Sequence, residues 1–417
     1  MKFNKWTVAL AAVGVVSLAS AAKAEEKAST AVTALTPTSI SGYVDTSAEW
    51  NLGTGDANVP PYKFNSPSKA DGFNLDVIQL RIEKALDESE WASGYRVDLW
   101  MGPDANTLGT SSTWDHYSNF AIRQAYVALR TPVGNGIDWK VGVFDSIIGY
   151  ESVESPNDPN FTRSYGHSIE PQTETGVLAS YRFCDMFSAS FGIADTVGPQ
   201  INGRAFYPVV GNQSEAESES YKSYMGSIAL TAPDSMGFLA GSTLYAGIVN
   251  GFSPAVASGY HTNGVVTSYY VGTTVATPVT GLRLGASFDD LNIAHINNDT
   301  YSFAGYASFQ ATEKLSLHAR AEYFKDKPGI LGTRANPGQG VLFDDLAYGQ
   351  KAEVLALTAT VQYDLWKNVI SRLEFRWDHS LLDNALFGES INSSGNYTSA
   401  PSRDNACMVA ANIIYKF

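Results

Sequence analysis

The residues of this chain best placed to do chemistry are charged groups held close together. Between 148 and 172, Glu151, Glu154, Asp158 and Glu170 stand against one arginine, Arg163. Further on, Arg372, Glu374, Arg376 and Asp378 recur at every second position, and Arg81 with Glu83 and Arg96 with Asp98 show the same spacing. Opposite charges arranged around an aqueous path sort ions and dipolar solutes by charge and size, and no bond is made or broken.

Covalent chemistry lacks its parts. The sequence contains no HExxH, GxxxxGK[ST], GxSxG or CxxC, so zinc, phosphate-loop and hydrolase-elbow sites are without their ligands. Six histidines are available, and the adjacent pair Asp378-His379 is a poor dyad because successive strand residues point to opposite faces. The expectation is therefore no catalytic residue, no metal and no cofactor. A formal charge of -14 also argues against a nucleic-acid partner, which needs clustered Lys and Arg.

The elements that position these charges read as strands. Of 417 residues 44% are hydrophobic and 17% charged, with 36 Gly, 22 Tyr, 20 Phe and 8 Trp, a composition rich in rings and poor in charge. Beyond the N-terminus no apolar run approaches the roughly 18 to 20 residues of a spanning helix. At the start, Lys2 and Lys5 precede an apolar stretch from Trp6 to Leu18, and Ala22-Lys23-Ala24 offers small residues for cleavage after Ala24. This reads as an export signal over 1–24, with an anchor helix as the alternative, followed by a Ser/Thr/Ala-rich lead-in over 25–37. Losing those three lysines takes the formal charge from -14 to -17.

From Ser39 onward the period is two. Leu355, Leu357, Ala359, Val361 and Tyr363 form one oily face, and Leu373, Phe375 and Trp377 alternate with the charged row at 372–378. Such segments fall near 39–51, 73–85, 94–103, 120–131, 137–147, 173–183, 187–196, 221–232, 238–250, 265–277, 282–292, 301–312, 314–325, 351–363, 369–380 and 404–417, about sixteen in all. Short connections alternate with long ones. Together these features predict an all-β transmembrane antiparallel barrel over 38–417, with short periplasmic turns and long extracellular loops. A soluble sandwich also alternates, but it rarely carries sixteen strands in one domain. Aromatic residues beside short turns, such as Trp139, Phe183, Phe187, Tyr363, Trp366, Tyr415 and Phe417, suit a membrane-interface girdle. Cys184 and Cys407 fall at distant places in this scheme and are expected to be free thiols.

If the apolar parity faces lipid, the other parity lines a lumen. Its wall carries Arg81, Arg96, Lys140, Arg182, Arg283, Arg320, Arg372 and Arg376, against Asp45, Glu49, Glu83, Asp98, Asp289, Glu322, Glu374 and Asp378. Many of these should neutralise one another as wall ion pairs. Tyr43, Trp100, Tyr126, Phe144, Tyr270 and Tyr306 share the inward parity; they either form a stacking track for sugar rings or fill space.

The stretch 119–183 carries recognisable pieces: Arg123-Gln124-Ala125-Tyr126, Val141-Gly142-Val143-Phe144 running into Ile148-Gly149-Tyr150-Glu151, the Asn157 to Tyr165 loop, and Thr175-Gly176-Val177. It resembles the OmpL-like beta-barrel porin-2 family of Gram-negative bacteria, departing from the pattern at Gly166-His167-Ser168. The resemblance implies an outer-membrane porin and carries no residue-level substrate site. In sixteen-strand porins the third outer loop folds inward, and 148–172 is the third long connection here. A constriction would then set Glu151, Glu154, Asp158, Arg163 and Glu170 against wall residues Arg81, Arg96, Arg123, Arg320, Arg372, Glu374 and Arg376, with a transverse field between them. The expected function is passive diffusion of small hydrophilic solutes and ions with mild cation preference. The alternatives are a substrate-specific channel with an aromatic track, and a non-conducting surface barrel whose acidic loops bind ions or a partner. Expected partners are outer-membrane lipids, lipopolysaccharide and solutes, with a homotrimer as a possible assembly.

Overall fold

A computed structural model of the chain describes residues 38–53, 69–87, 89–107, 119–204, 206–208, 214–216, 221–252, 265–294, 299–327, 351–383, 385–388 and 401–417. The expected export signal and lead-in lie outside the described residues. Sixteen strands close into one barrel: β1 Ser39–Asn51, β2 Gly72–Lys84, β3 Ser93–Met101, β4 Phe120–Thr131, β5 Ile137–Asp145, β6 Thr173–Arg182, β7 Phe187–Ala194, β8 Ser223–Thr231, β9 Thr243–Phe252, β10 Val265–Ala276, β11 Leu282–Ile293, β12 Asp299–Gln310, β13 Leu315–Lys327, β14 Ala352–Trp366, β15 Val369–Ser380 and β16 Asn405–Lys416. All neighbours are antiparallel, and β1 closes on β16 with Tyr43 opposite Lys416 and Asn51 opposite Met408. A small hairpin, Phe206–Pro208 against Ser214–Ala216, stands apart from the barrel. Among the described residues no helix is long and apolar enough to cross a membrane.

The closed ladder explains how such a polar backbone can sit in lipid, since every strand has two neighbours and no edge is left open. Side-chain parity follows the same demand. Leu317, Leu357, Val361, Leu373, Phe375 and Ile413 are 42–56% exposed on the outside, whereas Thr358, Arg372, Glu374, Arg376 and Asp378 on the inward parity are buried. A soluble core would have the reverse arrangement. Beside the short turns, the rings of Phe183 and Phe187 stack with centroids 5.0 Å apart, and Trp366 is 72% exposed. Tight turns are closed where the backbone can turn left-handed: Asn368, between β14 and β15, has φ 66°. At Gly281 (φ +83°), before β11, a Cβ would lie 2.7 Å from Gln310 O.

Between β5 and β6 the chain enters the lumen. It makes a 3₁₀ turn at Ser155–Asn157 and a short helix at Tyr165–Ile169, where the side chain of Ser164 accepts the His167 N–H at 3.1 Å. Three buried apolar clusters lie where this segment meets the wall. One gathers Phe144, Ile147, Ile148 and Tyr150 with Leu178, Met225, Val249, Tyr270 and Tyr306; a second joins Tyr165 and Ile169 to Phe324 and Val354; a third sets Val153 beside Tyr43, Trp100 and Ile414. The core of this protein is thus inside the lumen. Both cysteines are free, Cys184 exposed in the β6–β7 turn and Cys407 in β16.

Candidate functional site

Glu154 is met by three arginines from three adjacent strands. Arg81 of β2, Arg96 of β3 and Arg123 of β4 all donate to its Oε1, Arg123 at 2.9 Å and Arg96 at 3.1 Å. Asp98 lies under the same group, 2.8 Å from Arg81 Nε and 2.7 Å from Arg96 Nη2, and Arg123 also pairs with Asp145. The cluster is locally neutral, with three guanidinium groups for three carboxylates. Burial raises the Glu154 carboxyl, but Arg81, Arg123 and Arg96 outweigh it and hold the group below the usual carboxylate range.

The opposite wall is engaged by the next residues of the same segment. Arg320 of β13 donates to Glu151 Oε1 at 2.8 Å, pairs with Glu322 at 2.6 Å and reaches Thr162 O at 2.8 Å. Glu374 of β15 accepts the Phe161 and Thr162 backbone N–H groups at 2.6 and 2.9 Å. Arg376 pairs with Asp378 and donates to Arg163 O at 2.7 Å, while the Tyr165 hydroxyl donates to Asp378 at 2.8 Å. Arg372 donates to Ser155 O at 3.0 Å and to Asp158 O. Carboxylates and backbone carbonyls of an irregular segment find their partners on the strands, as polar groups at membrane depth must.

Asp158 and Arg163 pair with each other at 2.8 Å and hold the segment's own bend. Burial pushes Asp158 up to about 7 in spite of Arg163 beside it. Glu170 turns to a third sector, close to Asp289 of β11 and 3.7 Å from His167 Nδ1. All twelve residues singled out from the sequence therefore gather on the inward segment or the wall it touches. One aspect differs from expectation. The loop carboxylates and the arginines are in contact rather than facing each other across a gap, so their fields largely cancel at the contact.

The inward rings are also occupied. Tyr306 stacks on Tyr150 of the segment with centroids 4.0 Å apart at 18°, the Tyr245 hydroxyl donates to Ile147 O, and Trp100 donates to Gln79 at 2.6 Å beneath the Arg123 guanidinium. Tyr43, Trp100, Phe144, Tyr270 and Tyr306 are each at most 4% exposed. They clasp the segment and the wall; they do not present a bare ladder of ring faces. Period-two reading gave no hint of Leu178, Met225 and Val249, whose apolar side chains sit on the inward parity because Phe144 and Ile148 need somewhere dry to pack.

A family model described as "Putative beta-barrel porin-2, OmpL-like" matches residues 37–417. No curated protein matches the chain. Among solved structures, in-vitro folded OmpT, an outer membrane protein of Vibrio cholerae, aligns at 12% identity and TM-score 0.54 over 94% of this chain and 100% of its own. The outer membrane channel DcaP of Acinetobacter baumannii aligns at 12% and 0.56 over 91% and 97%. Salmonella typhi OmpF in complex with daunomycin aligns at 14% and 0.56 over 92% and 98%. At these identities the likeness is one of fold.

Proposed function

The chain belongs to the OmpL-like beta-barrel porin-2 family of the bacterial outer membrane, and from that premise we propose a passive diffusion channel for small hydrophilic solutes and ions, with mild preference for cations. Family and fold are those of a channel rather than an enzyme. The observation that carries the proposal is the segment from Ser146 to Gln172, fixed inside the lumen against the β2–β4 wall by Glu154 and against β13–β15 by Glu151, Thr162 and Arg163. A charged element pinned across a channel sets its width and its electrostatics together.

Cation preference is supported by the residual charge. Each wall arginine of the site has a carboxylate or carbonyl partner, and the chain as a whole is acidic by -14. Reversal potential of the refolded barrel in a planar bilayer under a KCl gradient tests this. A value on the potassium side supports it, a value on the chloride side removes the preference, and absence of current from folded barrels removes the channel.

We also infer a homotrimer as the working assembly. OmpT of Vibrio cholerae has been solved in a trimer form, and the outer belt here is apolar enough to serve lipid, lipopolysaccharide and subunit contacts alike. Crosslinking in native membranes, with a ladder ending at three chains, is the expected result.

A further inference from the structure

Roughly 15 Å along β2 from Arg81, toward the long connections, the same wall carries a second charged group of opposite balance. Lys69 reaches in from the β1–β2 connection, and its ammonium donates to Asp76 Oδ1 of β2 at 2.8 Å and to Asp104 of the short helix Pro103–Thr107. Glu49 of β1 lies within electrostatic reach of Lys69, Asp76 and Asp104. Two carboxylates thus hold the ammonium, with a third in its neighbourhood. Acceptors here go unserved: both Glu49 oxygens and Asp76 Oδ2 are buried without a partner, Glu49 at 0% and Asp76 at 1% exposure, and the Asn51 side-chain amide has neither its oxygen nor its nitrogen hydrogen-bonded. Buried acceptors left unserved are costly and are rare in native structures.

A lysine side chain is an alkyl ammonium on a tether, so the groups that hold it would hold the same head on a free solute. We propose that Glu49, Asp76, Asp104 and Asn51 form a binding site for organic cations bearing N–H donors, which Lys69 fills until such a solute displaces it. The inference rests on the cation preference proposed above and gives that preference a place and a substrate class. A solute with a second ammonium, or a flat guanidinium with five donors, serves more of the idle acceptors than Lys69 does. The site stands ahead of the Arg81–Arg96–Arg123 group on the way in from the long-loop end, so amine-bearing solutes are concentrated before they meet the inward segment.

Calorimetric titration of diaminobutane into detergent-folded full-length barrels tests the site without depending on conductance. Lys69→Met is expected to bind at least tenfold more tightly than the unmodified protein, and Lys69→Met combined with Glu49→Gln and Asp76→Asn to lose that binding. Tetramethylammonium, which has no N–H, should give no heat with any of them. Equal affinity with and without Lys69, or binding that survives loss of both carboxylates, overturns the proposal. Should Lys69→Met fail to fold, Glu49→Gln alone decides: diaminobutane affinity falls at least tenfold, and an unchanged value overturns the site. Potassium-side reversal potentials without diaminobutane binding sink this site alone, whereas binding without cation preference sinks the preference and leaves the site standing.

Discussion

Arg320 and Glu151 are 169 positions apart in the chain, yet Arg320 Nη1 donates to Glu151 Oε1 at 2.8 Å with both side chains all but fully buried. The bond joins a barrel strand to a segment that has no ladder partners of its own. Glu151 is held from two sides, by this wall arginine and by the Ser164 N–H of its own segment, which donates to Oε2 at 2.7 Å.

Removing one member of this pair should free that side of the segment. Fully breaking a buried pair costs about 3–5 kcal/mol, and because Arg320 keeps Glu322, Glu151→Gln is expected to cost less than that while still lowering the unfolding midpoint in urea and raising single-channel conductance. Arg320→Ala, which also strands Glu322, should do more damage than Glu151→Gln. Equal conductance in all three proteins would show that Glu151 does not hold the segment in place.

Glu154→Gln addresses the other wall. Arg81, Arg96 and Arg123 would then face two carboxylates, Asp98 and Asp145, and the lumen gains one net positive charge. The reversal potential under a KCl gradient should move toward chloride, with the change shrinking as salt rises, because screening shortens the reach of an unpaired charge to about 8 Å at physiological ionic strength.

The pH response follows from the same residue. Because its folded-state carboxyl lies below the ordinary range, the stabilisation from Glu154 is complete above that range and is lost as pH falls through the depressed value. Asp158 works in the other direction: its carboxyl is raised to about 7, so its contribution favours the seated segment below that pH. Conductance steps should therefore be smallest and steadiest between about 7 and the ordinary carboxylate range at about 4.3, and grow larger or noisier above about 7, where Asp158 ionises, and again in stronger acid, where Glu154 is protonated. A step size that stays the same on both sides of this window would contradict the assignment.

Tyr150→Ala separates packing from charge. The stacked pair with Tyr306 contributes about 0.5–1.5 kcal/mol beyond its buried area. Its loss should loosen the segment on the β12 side and raise conductance, while leaving the reversal potential where it was. A shift in reversal potential as large as that of Glu154→Gln would mean that the ring contact also positions charges.

All sixteen strands were legible because lipid on one side and water on the other impose a strict parity, as Leu373, Arg372 and Phe375 illustrate. The ends differ from expectation by at most three residues except at the start of β9, expected at 238 and found five residues later at Thr243, because Asp234–Leu239 forms a 3₁₀ turn there. For the site, the clustering of Glu151, Glu154, Asp158 and Glu170 marked the segment, and inward parity marked the arginines. Which carboxylate meets which arginine was not readable, since the pairing depends on how an irregular segment crosses a closed ring. Parity also states only which way a side chain points. It could not reveal that Leu178, Met225 and Val249 face a dry patch, nor that Lys69, in a connection without periodic pattern, seats its ammonium between Asp76 and Asp104.

The segment that runs from Glu154 on the β2–β4 wall to Thr162 and Arg163 on β13–β15 has a mechanical meaning as well. A ring of strands held only by its own ladder can flatten into an oval under lateral pressure from the bilayer. A strut bonded to both sides resists that deformation across its own direction and leaves the perpendicular direction soft. Membrane tension should accordingly distort this barrel unequally along its two diameters, and cutting the strut at Glu151 should make the cross-section more compliant.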